Sequence, residues 1–200
     1  MRTVKLVFIL ALAAAMAATA VEVTLNKISA SGFLAKSGDT TLIVDTDAAL
    51  QRAQEKYIPL IVWLGGRQSK TIYANRDSFT LIDPEGLSRA MPSFNDLLKG
   101  YSSGLVGADY SRLSAECGYF QYADMNYLDC KPLRGVAFFP DPGSMNVLYD
   151  KVELPNRTFF HTLLYFPKSP GSKGGVYKLV YDDAKSGTKI ALPFTINWAK

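Results

Sequence analysis

The chain has 200 residues, of which 48% are hydrophobic and 20% charged, with a formal net charge of +4. That is enough apolar sequence for one ordinary domain with a real core, and no run of basic residues argues for nucleic acid or an anionic membrane surface. Two cysteines and one histidine exclude a His-based zinc site unless carboxylates and cysteines supply the remaining ligands.

The chain opens MRTVKLVFILALAAAMAATAVEV. Arg2 and Lys5 form a basic start, Leu6 to Ala18 is an apolar run, and Ala18-Thr19-Ala20 is an A-x-A cleavage site. Those parts in that order predict a secretory signal peptide over 1–20. The apolar run is short for a membrane span, which takes about 20 apolar residues. No Cys stands directly after it to take a lipid, and no later segment is long and apolar enough to span. The expected mature chain is Val21–Lys200, a single domain in the periplasm or outside the cell, and loss of Arg2 and Lys5 lowers its net charge from +4 to +2.

Short β-prone runs at Val21–Leu25 and Thr40–Val44 flank SASGFLAKSGD, which reads as a connection. Asp45 to Tyr57 has helical spacing, with Leu50, Ala53 and Tyr57 at i, i+3 and i+7 and Asp47 as its cap, so a helix of about three turns is expected. Ile58–Gly66, IPLIVWLGG, is apolar on both faces and predicts a central strand with Pro59 at its start. KTIYANRDSFTLIDPEG continues as strand, exposed or bulged at Arg76-Asp77. MPSFNDLLKGY predicts a short helix capped by Ser93 with Asp96 at N3 and ended by Gly100.

Tyr101 to Asp129 is rich in Gly, Ser and Tyr and reads as a long irregular excursion. Cys117 lies within it and Cys130 just beyond. In an oxidising compartment the pair is expected to close as a structural disulfide, worth about 3 kcal/mol in the chain-entropy picture. The spacing is wrong for a C-x-x-C redox motif. Tyr110, Tyr119, Phe120, Tyr122 and Tyr127 are the candidate binding residues, because tyrosines on adaptable loops give large contact area with a polar tip. The same rings could instead fill a satellite core under the loop. Arg134–Gly143 reads as a brief strand, and four more strands are expected near 150–154, 158–166, 175–182 and 188–197, spaced as in all-β sandwiches.

Asp83-Pro84-Glu85-Gly86 fits a type I turn, with Asp at i, Pro at i+1 and Gly at i+3. It lacks the converging oxygens of a calcium loop, and Asp45-Thr46-Asp47 fails the EF-hand pattern at Ala49. No metal or cofactor is expected. The Phe79, Leu81, Asp83, Gly86 pattern, with Leu164, Tyr165 and Phe166 downstream, resembles secreted bacterial immunoglobulin-like sandwich domains of uncharacterised families. The resemblance covers about half of the mature chain. It implies a mostly β, antiparallel sandwich with short helical insertions and a disulfide-pinned loop, and an envelope or extracellular binding role.

His161, the single histidine, shares a strand face with Phe159, Leu163 and Tyr165 and reads as a packed residue. A Ser-His-Asp triad would need it, but no G-x-S-x-G elbow is present. No pair of carboxylates is singled out by spacing for glycosidase chemistry. Asn156-Arg157-Thr158 is a glycosylation sequon at a strand start. The expected function is therefore a non-enzymatic exported domain that binds a protein or envelope component through loops. The alternatives are a carbohydrate-binding or carboxylate-dependent glycan-active module and a self-assembling surface subunit.

Overall fold

The computed structural model describes residues 23–115, 130–133, 136–142 and 148–198. The expected signal peptide lies outside the described residues, as do Cys117, Tyr119, Phe120, Tyr122 and Tyr127, and with Cys117 the expected disulfide. Cys130 is described and buried.

In chain order the strands are β1 (Val23–Lys27), β2 (Gly32–Ser37), β3 (Thr40–Asp45), β4 (Tyr57–Gly66), β5 (Ile72–Asn75), β6 (Phe79–Ile82) and β7 (Ser88–Ala90). They continue as β8 (Lys131–Pro132), β9 (Val136–Ala137), β10 (Leu148–Tyr149), β11 (Lys151–Leu154), β12 (Thr158–Pro167), β13 (Gly175–Asp183) and β14 (Thr188–Ile196). Helices α1 (Asp47–Leu50), α2 (Phe94–Leu98) and α3 (Ser103–Ala115) and a 3₁₀ turn at Arg76–Ser78 lie among them.

The fold is mostly β. A six-stranded sheet runs β1-β2-β3-β4-β12-β8 and a four-stranded sheet runs β14-β13-β6-β7. Two small ladders, β5 with β11 and β9 with β10, complete it. All pairings are antiparallel except β8–β12 and β9–β10. The sheets pack face to face, with Phe33 of β2 against Phe194 of β14 (6.1 Å between centroids) and Phe160 of β12 against Phe79 of β6 (6.4 Å). The register puts Leu42, Val44, Val62, Leu64, Phe160 and Leu164 on that inner face. Ile43, Ile61, Trp63, Leu163 and Tyr165 point the other way and are buried too. That two-sided burial is why Ile58–Gly66 reads as an unbroken apolar run. β13 and β14 bury one face only and alternate cleanly.

Four expectations need correction. The stretch read as a connection holds β2. Phe33 and Ala35 face the inner core, and the β2–β3 turn is two residues long, with Gly38 at φ +57°. That conformation is the reason for glycine there. The helix expected over 45–57 is α1 alone. The Asp45 carboxylate, not Asp47, accepts the Asp47 N–H (2.6 Å) at its start, and Lys168 claims the Ala53 and Lys56 carbonyls (2.5 and 2.8 Å), so the chain leaves the helix for β4. The excursion from Tyr101 is not irregular throughout, because α3 occupies its first half. Val106, Tyr110 and Leu113 are buried at i, i+4 and i+7, a helical stripe diluted in the sequence by Gly104 and Gly107.

Pro59 sits at the third position of β4 rather than its start. The β3 ladder has ended by then, its last pair being Asp45 with Ile61, so a missing N–H there breaks no β3–β4 bond. The Ser93 cap is as expected, its side chain accepting the Asp96 N–H at 3.1 Å. At Asn75 the chain turns a corner. The Asn75 side chain accepts the Ser78 N–H (3.0 Å) and the Ser78 hydroxyl accepts the Asn75 N–H (3.1 Å), so β5 ends on β11 and β6 starts on β13. The sequon residue Asn156 is exposed in the β11–β12 turn, where the Thr158 hydroxyl donates to the Pro155 carbonyl (2.7 Å).

Candidate functional site

A catalytic site would draw on buried ionisable groups. Asp83 forms the turn expected of it. Its carbonyl accepts the Gly86 N–H at 2.9 Å, and its carboxylate accepts the Leu87 N–H (2.8 Å), Arg89 Nε and Nη2 (2.9 and 2.8 Å) and the Ser169 hydroxyl (2.9 Å). Burial alone would raise its pKa, but the bonds from Arg89, Leu87 and Ser169 outweigh it and hold the group below the ordinary carboxylate range. Asp83-Pro84-Glu85-Gly86 is thus a turn clamped to Arg89.

Asp109, on α3, is fully buried. It accepts Arg52 Nη2 (2.8 Å), the Tyr101 hydroxyl (2.5 Å) and the Tyr165 hydroxyl (3.2 Å), and Arg52 Nε donates to the Tyr101 oxygen (2.8 Å). Burial pushes its pKa up. A second ion pair, Arg112 to Asp47 at 2.7 Å, crosses the first, so α3 and the α1 segment exchange an acid and a base each way. Asp183 accepts the backbone N–H groups of Tyr73 (2.8 Å), Lys185 (2.9 Å) and Ser186 (3.2 Å) and the Ser186 hydroxyl. Burial works to raise its pKa, and the bonds from Ser186, Tyr73 and Lys185 reverse that and lower it. All three carboxylates hold structure.

His161 stacks on Trp63 with ring centroids 4.1 Å apart and planes 14° from parallel. The ring is half-buried with Nε2 out of contact with solvent, and burial pushes its pKa down to about 3. It is neutral at physiological pH and sits as a packed residue. Tyr110, a candidate binding residue, lies on α3 at 4% exposure and donates its hydroxyl to the Phe139 carbonyl (2.6 Å). Tyr101 is at 2% exposure. Both rings therefore sit in the core. The four other aromatic candidates lie outside the described residues.

The feature the sequence did not single out is a groove. Tyr73 and Asn75 of β5 pair with Glu153 and Lys151 of β11, and all four lie on the outer face of that ladder. Ile72, Ala74, Val152 and Leu154 alternate inward and are buried. The Asn75 corner (Asp77, Ser78), the end of β13 (Asp182, Asp183) and the turn after it (Ala184, Lys185) complete the lining of an open groove of about 520 Å³. Lys185 Nζ lies 3.5 Å from the centre of the Tyr73 ring, and Asp182 pairs with Lys189 at 2.5 Å. The alternation of Ile-Tyr-Ala-Asn and Lys-Val-Glu-Leu was the available signal for an outward polar face. Nothing local in the sequence places those two short strands side by side.

No protein-family model matches the chain, and no curated protein matches it. Among solved structures, the crystal structure of the yjhA protein from Bacillus subtilis aligns with a TM-score of 0.40 and 14% identity, covering 82% of this chain and 96% of that one. Likeness at that level transfers nothing about a site. Among the described residues, no helix is long and apolar enough to cross a membrane, and no group of three or more His, Cys, Asp or Glu converges as metal ligands.

Proposed function

We propose that this chain is an exported, non-enzymatic binding domain that recognises a protein or envelope component, and that the β5–β11 groove is its contact surface. The observation that carries the reading is the contrast between the two kinds of polar residue. Asp83, Asp109 and Asp183 are consumed by structural hydrogen bonds. Asp77, Lys151 and Glu153 instead stand around the Tyr73 ring. A concave site with a few convergent polar groups on rigid strands is the usual form of a recognition site. The same reading takes the two facing sheets as an immunoglobulin-like sandwich. Export rests on the basic, apolar and A-x-A parts of the first twenty or so residues.

The test is differential capture. Tagged Val21–Lys200 and its Tyr73→Ala/Glu153→Gln double variant are each recovered from cross-linked cells of the source and compared by mass spectrometry. A partner enriched by the parent and lost by the double variant supports the reading. A partner held equally by both, or capture of the chain by itself alone, overturns the groove as the contact surface.

A further inference from the structure

Resting on the reading of the groove as the contact surface, we infer that it takes a neutral, hydroxyl-rich ligand, a glycan, rather than an anion or an apolar peptide side chain. The charge balance argues against an anion. Asp182 is paired with Lys189 and Asp183 is taken up by backbone donors, which leaves the Asp77 and Glu153 carboxylates balanced against Lys151 and Lys185. A phosphate or nucleic acid would find no net attraction there. The shape argues against an apolar side chain. The aliphatic residues of both strands, Ile72, Ala74, Val152 and Leu154, are buried toward the core, so Tyr73 is the one large apolar side chain that the two strands turn outward.

The remaining chemistry suits a sugar. The Asn75 amide oxygen is held by Ser78 and leaves its nitrogen to donate, the Asp77 and Glu153 carboxylates accept from hydroxyls, and the Lys151 ammonium donates. These sit around the Tyr73 ring, whose face already attracts a cation, the Lys185 ammonium at 3.5 Å. The C–H face of a pyranose is also weakly positive and binds the same negative ring face. The Tyr73 backbone is fixed by Asp183 and Tyr181, through its N–H (2.8 Å) and carbonyl (2.7 Å), so the ring is presented from a rigid strand. Lys185 occupies the ring face a sugar would use, so a ligand displaces it.

The experiment is calorimetric titration of Val21–Lys200 with cellotetraose, chitotetraose and maltotetraose, with decalysine and inorganic phosphate as charged controls. The expected result is binding of at least one tetrasaccharide, weakened about tenfold or more by Tyr73→Ala and by Glu153→Gln, and tightened by Lys185→Ala, which uncaps the ring. Glu153 is exposed, so its variant reports on recognition even if Tyr73→Ala perturbs the strand. Failure of all three sugars, or sugar binding untouched by the groove variants, overturns the inference. Tight binding of decalysine or phosphate without sugar binding overturns it too. If the sugars fail while the cross-linked partner is still lost from the double variant, the glycan inference falls and the groove reading stands.

Discussion

Replacing Asp109 with Ala should destabilise the protein by about 3–5 kcal/mol. The carboxylate is fully buried and receives Arg52, Tyr101 and Tyr165. Its removal leaves a guanidinium at 12% exposure and two buried hydroxyls without their acceptor. An uncompensated buried cation dominates that loss, and each orphaned hydroxyl adds about 1 kcal/mol or more. The Arg52 charge can be taken away with it. Arg52→Met/Asp109→Leu restores apolar packing and should recover more than half of the loss, because the larger part is the stranded charge and not the pair itself. Equilibrium urea unfolding of the parent, both single variants and the double variant closes the cycle. Asp109→Ala within about 1 kcal/mol of the parent would refute the reasoning, as would strict additivity of Arg52→Met and Asp109→Leu.

Other expectations follow from the same contacts. Asp83→Ala should cost about 1–3 kcal/mol by opening the turn and stranding Arg89, and calcium should leave the Tm of the parent unchanged; a calcium-dependent Tm would make the tip an ion site. Gly65→Ala should abolish or severely reduce folding, because at φ +132° its Cβ would overlap the Thr158 carbonyl and the Phe159 backbone; a soluble variant of parental Tm would contradict the close approach of β4 and β12. His161 should make the fold acid-sensitive. An unfolded imidazole takes its proton near pH 6.5 and the folded one only at about 3, so the unfolded state binds more protons between those values and stability falls as pH falls through that window. His161→Phe keeps the stack on Trp63 and should flatten this slope between pH 6.5 and 4.5; parallel loss in both proteins would show that the folded ring protonates freely.

The C-terminal strands were legible because each carries its own signal. β13 and β14 alternate residue by residue, and Lys185-Ser186-Gly187 marks the turn between them. β4 announced its double burial through an apolar run, and Ser93 announced its helix by its distance from Asp96. β2 was hidden because Gly32, Ala35 and Lys36 weaken its pattern, and its place is decided by the neighbours β1 and β3. The α3 stripe of Val106, Tyr110 and Leu113 was present but masked by serines and glycines that read as loop. The groove was out of reach for a different reason. Its residues come from β5, the Asn75 corner, β11 and the β13–β14 turn, and only tertiary pairing joins them.

The central claim is that the β5–β11 groove is occupied in the protein's native setting. Lysine labelling with a membrane-impermeant acylating reagent, on intact cells and on purified protein, tests it without knowing the ligand. Lys151 and Lys185 line the groove, whereas Lys70 and Lys178 are exposed outside it. The account predicts that Lys151 is shielded in cells relative to the purified chain while Lys70 and Lys178 react alike in both. Reactivity of Lys151 that is equal in the two settings, like that of Lys70 and Lys178, would contradict it.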